Sequence, residues 1–493
     1  MFNIKNAERR RAIELLETPS LTDAKLSVRQ RLPLSILLPF ATTNIPLAAL
    51  GVSVFVYLAP YLASHLGVSL TAVGAGWFIV RMLDLGVDFG LGVVMDRTRT
   101  RLGRYRLWML IGVPILMLGL YQLFMAPKGI DMVYLVGWLF VFYVGWSIMT
   151  LSQSAWGATL APHYDERSRL FGVLAGVGAL SASAVLISPI IAKSLGFTDA
   201  QGVQGMGWFS IILAPITVAL AAWRTPETIT TDHAHKPFNV SDYLAVLAKP
   251  DLLRMALAQV SLTLGPGWMS ALYLFYFQQA RGYSQQEASI LLLLYILAGV
   301  AGAPTTAWVA SRLSKHRTLM VTTTAYSLGL CTVAFIPKGV FIAAVPVMLW
   351  CGAMASGFDL MVRAMLADVG DEVRLEQGKE RISLIYAVNG LAAKIAAACA
   401  LLFTYPLIQV LGFNPKEGVV NTPGAIQSLQ LAYIIGPIVF VMLGGACVFG
   451  WRLDAKKHAD IRAQLEARDA LYTEAPIIES VTATPAAAIV TEG

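Results

Sequence analysis

The sequence predicts an all-α integral membrane protein of twelve transmembrane helices in two six-helix bundles, and three observations lead to it. Of 493 residues, 56% are hydrophobic and only 14% charged, where a soluble chain would carry roughly a quarter charged residues. The apolar residues come in long blocks rather than a 3.6-residue stripe, and about twelve blocks can cross ~30 Å of hydrocarbon at 1.5 Å per residue. The lysines and arginines gather in alternate connections, the asymmetry expected of basic loops held on the cytoplasmic side.

Residues 1–35 carry Lys5, Arg9, Arg10, Arg11, Lys25, Arg29 and Arg31. They lack the short apolar region and cleavage site of a signal peptide and read as a cytoplasmic segment. The N-terminal bundle is expected over 36–223, with spans near 36–62, 71–95, 107–126, 132–160, 170–194 and 206–223. Five arginines from Arg97 to Arg106 follow the second span, whereas the connections around His65 and Lys128 are short and nearly uncharged. Pro46 and Pro189 mark kinks whose freed carbonyls neighbouring helices must satisfy. A polar stretch, 224–250, with His233 and His235, reads as a central cytoplasmic loop. The C-terminal bundle is expected over 251–452, with spans near 252–279, 286–310, 318–336, 340–367, 382–411 and 428–451. The tail, 453–493, starts as a charged helix-like run from Asp454 to Asp469 and turns Ala/Thr/Pro-rich, a disordered composition. Both termini are thus expected in the cytoplasm, and the chain is placed as a multi-pass protein of the cytoplasmic (inner) membrane.

The net charge of +7 is accounted for by these loops. No aromatic-interleaved basic surface is left for nucleic acid. Cys331, Cys351, Cys399 and Cys447 stand singly in apolar spans without metal-ligand spacing and read as small core residues. No catalytic His, Ser or metal constellation falls in the spans, so an enzyme is not expected, nor any cofactor.

The most informative segment runs from Arg81 through Asp84 and Asp88 into the basic loop. Two carboxylates at i, i+4 share one helix face, and Arg81 at i−3 joins it. A charge near the bilayer centre costs roughly 2.5–3.5 kcal/mol on insertion scales, so such carboxylates face a polar interior and commonly handle ions. Asp84 and Asp88 are therefore the candidate cation site, for H+ or Na+. Lys394 lies about twelve residues, or roughly 18 Å, into span eleven, too deep to snorkel. It belongs in the central cavity, against those carboxylates or an anionic solute.

The halves resemble one another: Glu166-Arg167-Ser168 before span five matches Glu380-Arg381-Ile382-Ser383 before span eleven, and Arg312–Arg317 occupies the place of the Arg97–Arg106 loop. Six-helix halves related by repetition imply a midplane cavity opened alternately by rocking.

The run Val80-Arg81-Met82-Leu83-Asp84 to Asp88, then Asp96-Arg97-Thr98-Arg99-Thr100-Arg101-Leu102-Gly103-Arg104-Tyr105-Arg106, resembles the glycoside–pentoside–hexuronide:cation symporters. These form the melibiose-carrier branch of the major facilitator superfamily. Further matches are Asp165–Arg169, Leu366–Glu372 and Ile385–Lys394, and the resemblance covers approximately residues 30–455. It implies the major facilitator fold, cation binding at Asp84 and Asp88, a central role for Lys394, and a sugar-cavity aromatic at Trp156. The departures are specific. The positions of the family's sugar-gripping acids fall at Ala48 and Ser152, that of an arginine at Val177, and that of an asparagine beside the cation at Val87.

Ser152, Gln153, Asn389 and the i, i+4 pair Asp359/Arg363 complete the candidate substrate contacts. Arg97, Arg101 and Arg104 are expected to pair with Asp165, Asp368 and Asp371, holding the cytoplasmic face shut in one state. The expected activity is cation-coupled symport of a small organic solute, a sugar, glycoside or uronide by resemblance, through alternating access. The missing sugar acids leave open a carrier of an amphiphilic or anionic, lysolipid-like solute, and a non-transporting sensor is the reading outside the carrier class. Expected partners are the solute and the lipid bilayer, with no obligate protein partner evident.

Overall fold

The computed structural model describes residues 32–100, 102–161, 164–227, 249–377 and 382–474. These are helical throughout, with no strand among them. The helices are α1 (Leu34–Ser64), α2 (Leu70–Arg97), α3 (Tyr105–Phe124), α4 (Met132–Leu160), α5 (Tyr164–Val185 and Ile187–Ser194) and α6 (Asp199–Arg224). Then follow α7 (Pro250–Phe275), α8 (Gln285–Leu313), α9 (Lys315–Thr332), α10 (Phe341–Gln377), α11 (Ile382–Val410), α12 (Pro423–Cys447) and a polar α13 (Ala455–Glu474). Ten of the first twelve are long and apolar enough to cross a membrane. The other two, α2 and α7, are those carrying Arg81, Asp84 and Asp88, and Arg254, Gln259 and Thr263.

Local chemistry sets the ends and breaks. Ser69, Asp131, Thr198, Ser284 and Thr422 each accept a backbone N–H from the first turn of α2, α4, α6, α8 and α12. Each satisfies a donor the helix cannot, a stabilisation of about 1 kcal/mol. The capping box of Thr198 and Gln201 starts α6 at Asp199, well before the expected 206, because a capped polar turn precedes the apolar run. Pro46 and Pro189 lack the N–H that would bond the carbonyls of Thr42 and Val185, and the breaks fall next to those carbonyls, at Thr43 and Leu186. Two π-helical turns interrupt the ladder, Ser53–Leu58 within α1 and Tyr276–Ala280 closing α7.

Packing follows the repeat. α1 packs on α5 and α6, α3 on α4 and α6, and α2 on α4; six helices later, α7 packs on α11 and α12, α9 on α10 and α12, and α8 on α10. Between the two sets α2 lies along α11 and α5 along α8. Gly74 permits the first of these, since a Cβ there would lie 2.7 Å from the Leu401 carbonyl oxygen.

One end of the molecule is sealed. Thr71 donates through N and Oγ1 to Gln409 Oε1 at 2.9 and 3.1 Å, and the Tyr57 and Ser289 hydroxyls meet at 2.8 Å. Gln285 Nε2 donates to the Asp199 carbonyl at 3.2 Å, and His65 Nε2 lies 3.0 Å from Glu417 Oε1. Burial pushes the His65 imidazole below its usual pKa, against the opposing pull of Glu417 and Asp199. At the other end α10 runs to Gln377, past the expected 367, and its 37 residues span ~55 Å. Its projecting turns carry α13, seated through buried Ile461 and Leu465.

Candidate functional site

The charged cluster forms where α2, α4 and α11 meet at mid-depth. Asp84 is 1% exposed. Its Oδ1 accepts from Ser147 Oγ at 2.7 Å, and its Oδ2 from Arg81 Nη1 at 3.3 Å. The Lys394 ammonium stands 3.8 Å from Asp84 Oδ2 and directly contacts Asp88 Oδ2. Asp88 Oδ1 is buried without a hydrogen-bond partner among the described residues. The Arg81 guanidinium lies 4.8 Å over the Tyr143 ring, whose hydroxyl accepts from Trp77 Nε1 at 3.2 Å.

Two carboxylates therefore face one guanidinium and one ammonium. The cluster is balanced, which is how four charges persist in a low-dielectric setting. Hard oxygen donors, Asp84, Asp88 and Ser147 Oγ, suit a proton or a hard cation. Among the described residues no group of three His, Cys, Asp or Glu assembles, so Na+ would take further oxygens from water or solute. Lys394 now stands against both carboxylates. Its side chain remains 37% exposed, open to a ligand on one side.

The other candidates fall elsewhere. Trp156 is fully buried, packs edge-on against Phe40, donates to the Pro226 carbonyl at 3.2 Å and carries the Arg106 guanidinium over its ring. It is a closed packing residue here, not a cavity wall. Ser152 is fully buried against Met95 Sδ, and Gln153 donates to Thr43 Oγ1 at 2.8 Å. Asn389 donates to Gln259 Oε1 at 3.0 Å while its own Oδ1 has no partner among the described residues. Asp359 and Arg363 pair with each other at 2.7 Å, both well exposed, and the Arg363 carbonyl accepts from Tyr386.

Among the described residues, Asp368 and Asp371 take partners other than the expected arginines. Asp368 binds Lys315 at 2.6 Å and lies 3.4 Å from His458; Asp371 meets His458 at 3.1 Å and Arg462 at 3.7 Å. Among the described residues the acidic end of α10 is thus engaged by α9 and α13. Arg104 donates through Nε to the Met95 carbonyl, and Arg97 is exposed at the end of α2. Arg101 and the Asp165 side chain lie outside the described residues, as do most of the 224–250 loop and the tail after Glu474.

Two functional groups went unread in the sequence. Ser147 is a lone hydroxyl one turn beyond Tyr143, and that i, i+4 spacing was the available signal. Glu227 accepts the backbone N–H groups of Arg104, Tyr105 and Arg106 at 2.7, 2.7 and 3.0 Å. It thereby caps α3 across more than a hundred residues of sequence, with Gly103 at φ 104° letting it approach. No local pattern announces such a contact.

The chain belongs to the family described as MFS/sugar transport protein, whose pattern matches residues 39–455. It is 24% identical to the uncharacterized symporter YnaJ of Bacillus subtilis over 86% of this chain and 92% of that one. It is 21% identical to the isoprimeverose transporter of Lactiplantibacillus pentosus, over 84% and 87% of the two chains. It is also 22% identical to the glucuronide carrier protein homolog of Escherichia coli, over 84% and 91%. In fold it is similar to the crystal structure of nucleoside transporter NupG, with TM-score 0.63 and 14% identity over 85% of this chain and all of that one. A bacterial homolog of the human lysosomal transporter Spinster aligns with TM-score 0.58 and 12% identity, over 88% of this chain and 97% of that one. The chain is a multi-pass membrane transporter of the major facilitator type, not an enzyme.

Proposed function

We propose that the chain is a symporter in which a proton or Na+ at Asp84 and Asp88 is coupled to entry of a glycoside or uronide. The carrying observation is Lys394, held between both carboxylates at the place a coupling cation would take. An arriving cation and Lys394 compete for the same oxygens. When the cation wins, the ammonium is released toward the cavity, where it can take a carboxylate or hydroxyl of the solute. Binding of one ligand then favours the other by the same factor in either order. Without the cation, solute and carboxylates contend for one ammonium, which discourages solute from moving alone.

With the basic loops taken as cytoplasmic, as their asymmetry supports, the sealed end faces outward and we read the arrangement as an inward-facing state. Substrate class follows from the charges available to the cavity. Lys394 is the deep cation and Asp359 is already paired with Arg363, so a uronide carboxylate is favoured over a neutral disaccharide. The similarity to a glucuronide carrier homolog supports this reading.

Calorimetry on the purified chain tests it with methyl glucuronide and methyl glucoside as probes. Glucuronide binding should tighten on adding Na+ or on lowering pH, and Lys394→Ala should weaken it far more than glucoside binding. Solute affinity independent of both cations would remove the coupling proposal.

A further inference from the structure

The sealed end holds a cavity of about 280 Å³ lined by none of the charged-cluster residues. Both halves line it. Tyr57 and Tyr61 of α1 and Asp199 at the start of α6 face Gln278 and Gln279 at the end of α7 and Glu417 in the connection before α12. Both π-helical turns border it: the first supplies Tyr57, the second Gln278 and Gln279. A π-turn inserts a residue against the helical ladder and is found mostly where function retains it. Here the two turns, one from each half, border one cavity.

The lining combines aromatic faces with unused polar capacity. Among the described residues the Gln278 and Gln279 side-chain amides make no hydrogen bond, and the Asp199 carboxylate has Lys193 at 3.8 Å and the nearby His65 imidazole. Planar amides and carboxylates beside tyrosine rings match a molecule with an apolar C–H face and a rim of hydroxyls. The lining contains two carboxylates, no lysine or arginine, and one imidazole, His65, which lies 3.0 Å from Glu417 and which burial disposes to stay neutral, so the balance of charge disfavours an anionic ring. The volume falls just below the ~300–1,000 Å³ of ordinary ligand sites, enough for one ring and too little for a disaccharide.

We infer that this vestibule is a second solute site, distinct from the central one, that takes a single neutral polyhydroxylated ring. Its occupant bridges the two halves and therefore favours the state in which this end is sealed. Binding itself does not depend on the symport reading. Its kinetic consequence does: high solute concentration on this side should slow reopening and depress transport.

The test uses the full chain in nanodiscs, following hydrogen exchange of the 276–285 and 413–418 peptides with D-glucose, D-glucuronate and melibiose. Glucose should protect both peptides with an affinity on the order of 1–10 mM, weak because one ring offers few contacts. Glucuronate and melibiose should not. Gln278→Leu and Asp199→Asn should each weaken glucose protection by about five- to tenfold, while Lys394→Ala leaves it unchanged. Protection by all three sugars alike, or by none, would overturn the inference. So would protection lost in Lys394→Ala yet intact in both vestibule variants, which would trace it to the central cavity.

Discussion

Replacing Lys394 with methionine keeps the length and apolar stem of the side chain and removes only its charge. Asp84 and Asp88 would then face Arg81 alone, and the cluster would pass from balanced to one net negative charge. At the 3.8 Å separating Lys394 from Asp84, with an effective dielectric of about 20, one such attraction is worth roughly 4 kcal/mol. The lysine side chain is 37% exposed, so solvent screening removes half or more of that, leaving roughly 1–2 kcal/mol. Because the ammonium competes with the coupling cation, its loss should tighten cation binding by about 5- to 30-fold. Solute accumulation should fall at the same time, because the released ammonium no longer exists to take the solute. Titration calorimetry with Na+, repeated across pH to reveal proton competition, measures the first effect, and uptake into proteoliposomes the second. Unchanged or weaker cation binding in Lys394→Met would show that the lysine is no competitor, and the exchange mechanism would fail.

Ser147→Ala leaves a buried Asp84 oxygen without its 2.7 Å donor, and a hydrogen bond to a charged group is worth about 1.5–3 kcal/mol. Cation affinity should therefore change at least several-fold and the unfolding temperature should fall; if neither moves, the serine is a bystander. Glu227→Ala strips three backbone donors of their acceptor at the start of α3 and should lower thermal stability by about 2–3 kcal/mol, read by a tryptophan-fluorescence melt, with an unaltered melt refuting the cap. His65 is held neutral by burial, so its sealed environment is favoured above the ordinary histidine pKa of about 6.5 and weakens as pH falls through that value toward the lower native one. Hydrogen exchange of the 413–421 peptide should rise on acidification in the wild type and lose that dependence in His65→Asn; an equal rise in both would place the pH sensor elsewhere. Truncation after Asp469 retains Ile461, Leu465 and Arg468 and should leave transport close to wild type, whereas inactivity at normal expression would show a role for the last residues.

The architecture was readable because the bilayer imposes it: long apolar blocks, alternate basic loops and weak internal repetition lead to the helices observed. Boundaries strayed where polar chemistry decided them, as at the capped start of α6 and the projecting end of α10, neither of which hydropathy registers. Asp84, Asp88, Arg81 and Lys394 were legible since charge deep in an apolar helix demands a partner, and only a few partners were available. What could not be read was pairing over distance. The acids of α10 have several basic segments within chemical reach, and their pairing with α9 and α13 depends on where helices end in space. Trp156 shows the same limit, since an aromatic in an apolar helix looks alike whether it lines a cavity or seals a loop.

The central claim, that occupancy of Asp84 and Asp88 drives solute movement, is tested most directly by uptake against a gradient. Proteoliposomes carrying the wild-type chain, with an inward Na+ or H+ gradient and external labelled methyl glucuronide, should concentrate it above the outside level. Asp84→Asn and Asp88→Asn should only equilibrate it while still exchanging label in counterflow. Accumulation by both variants equal to wild type, or wild-type accumulation indifferent to either gradient, would contradict the account.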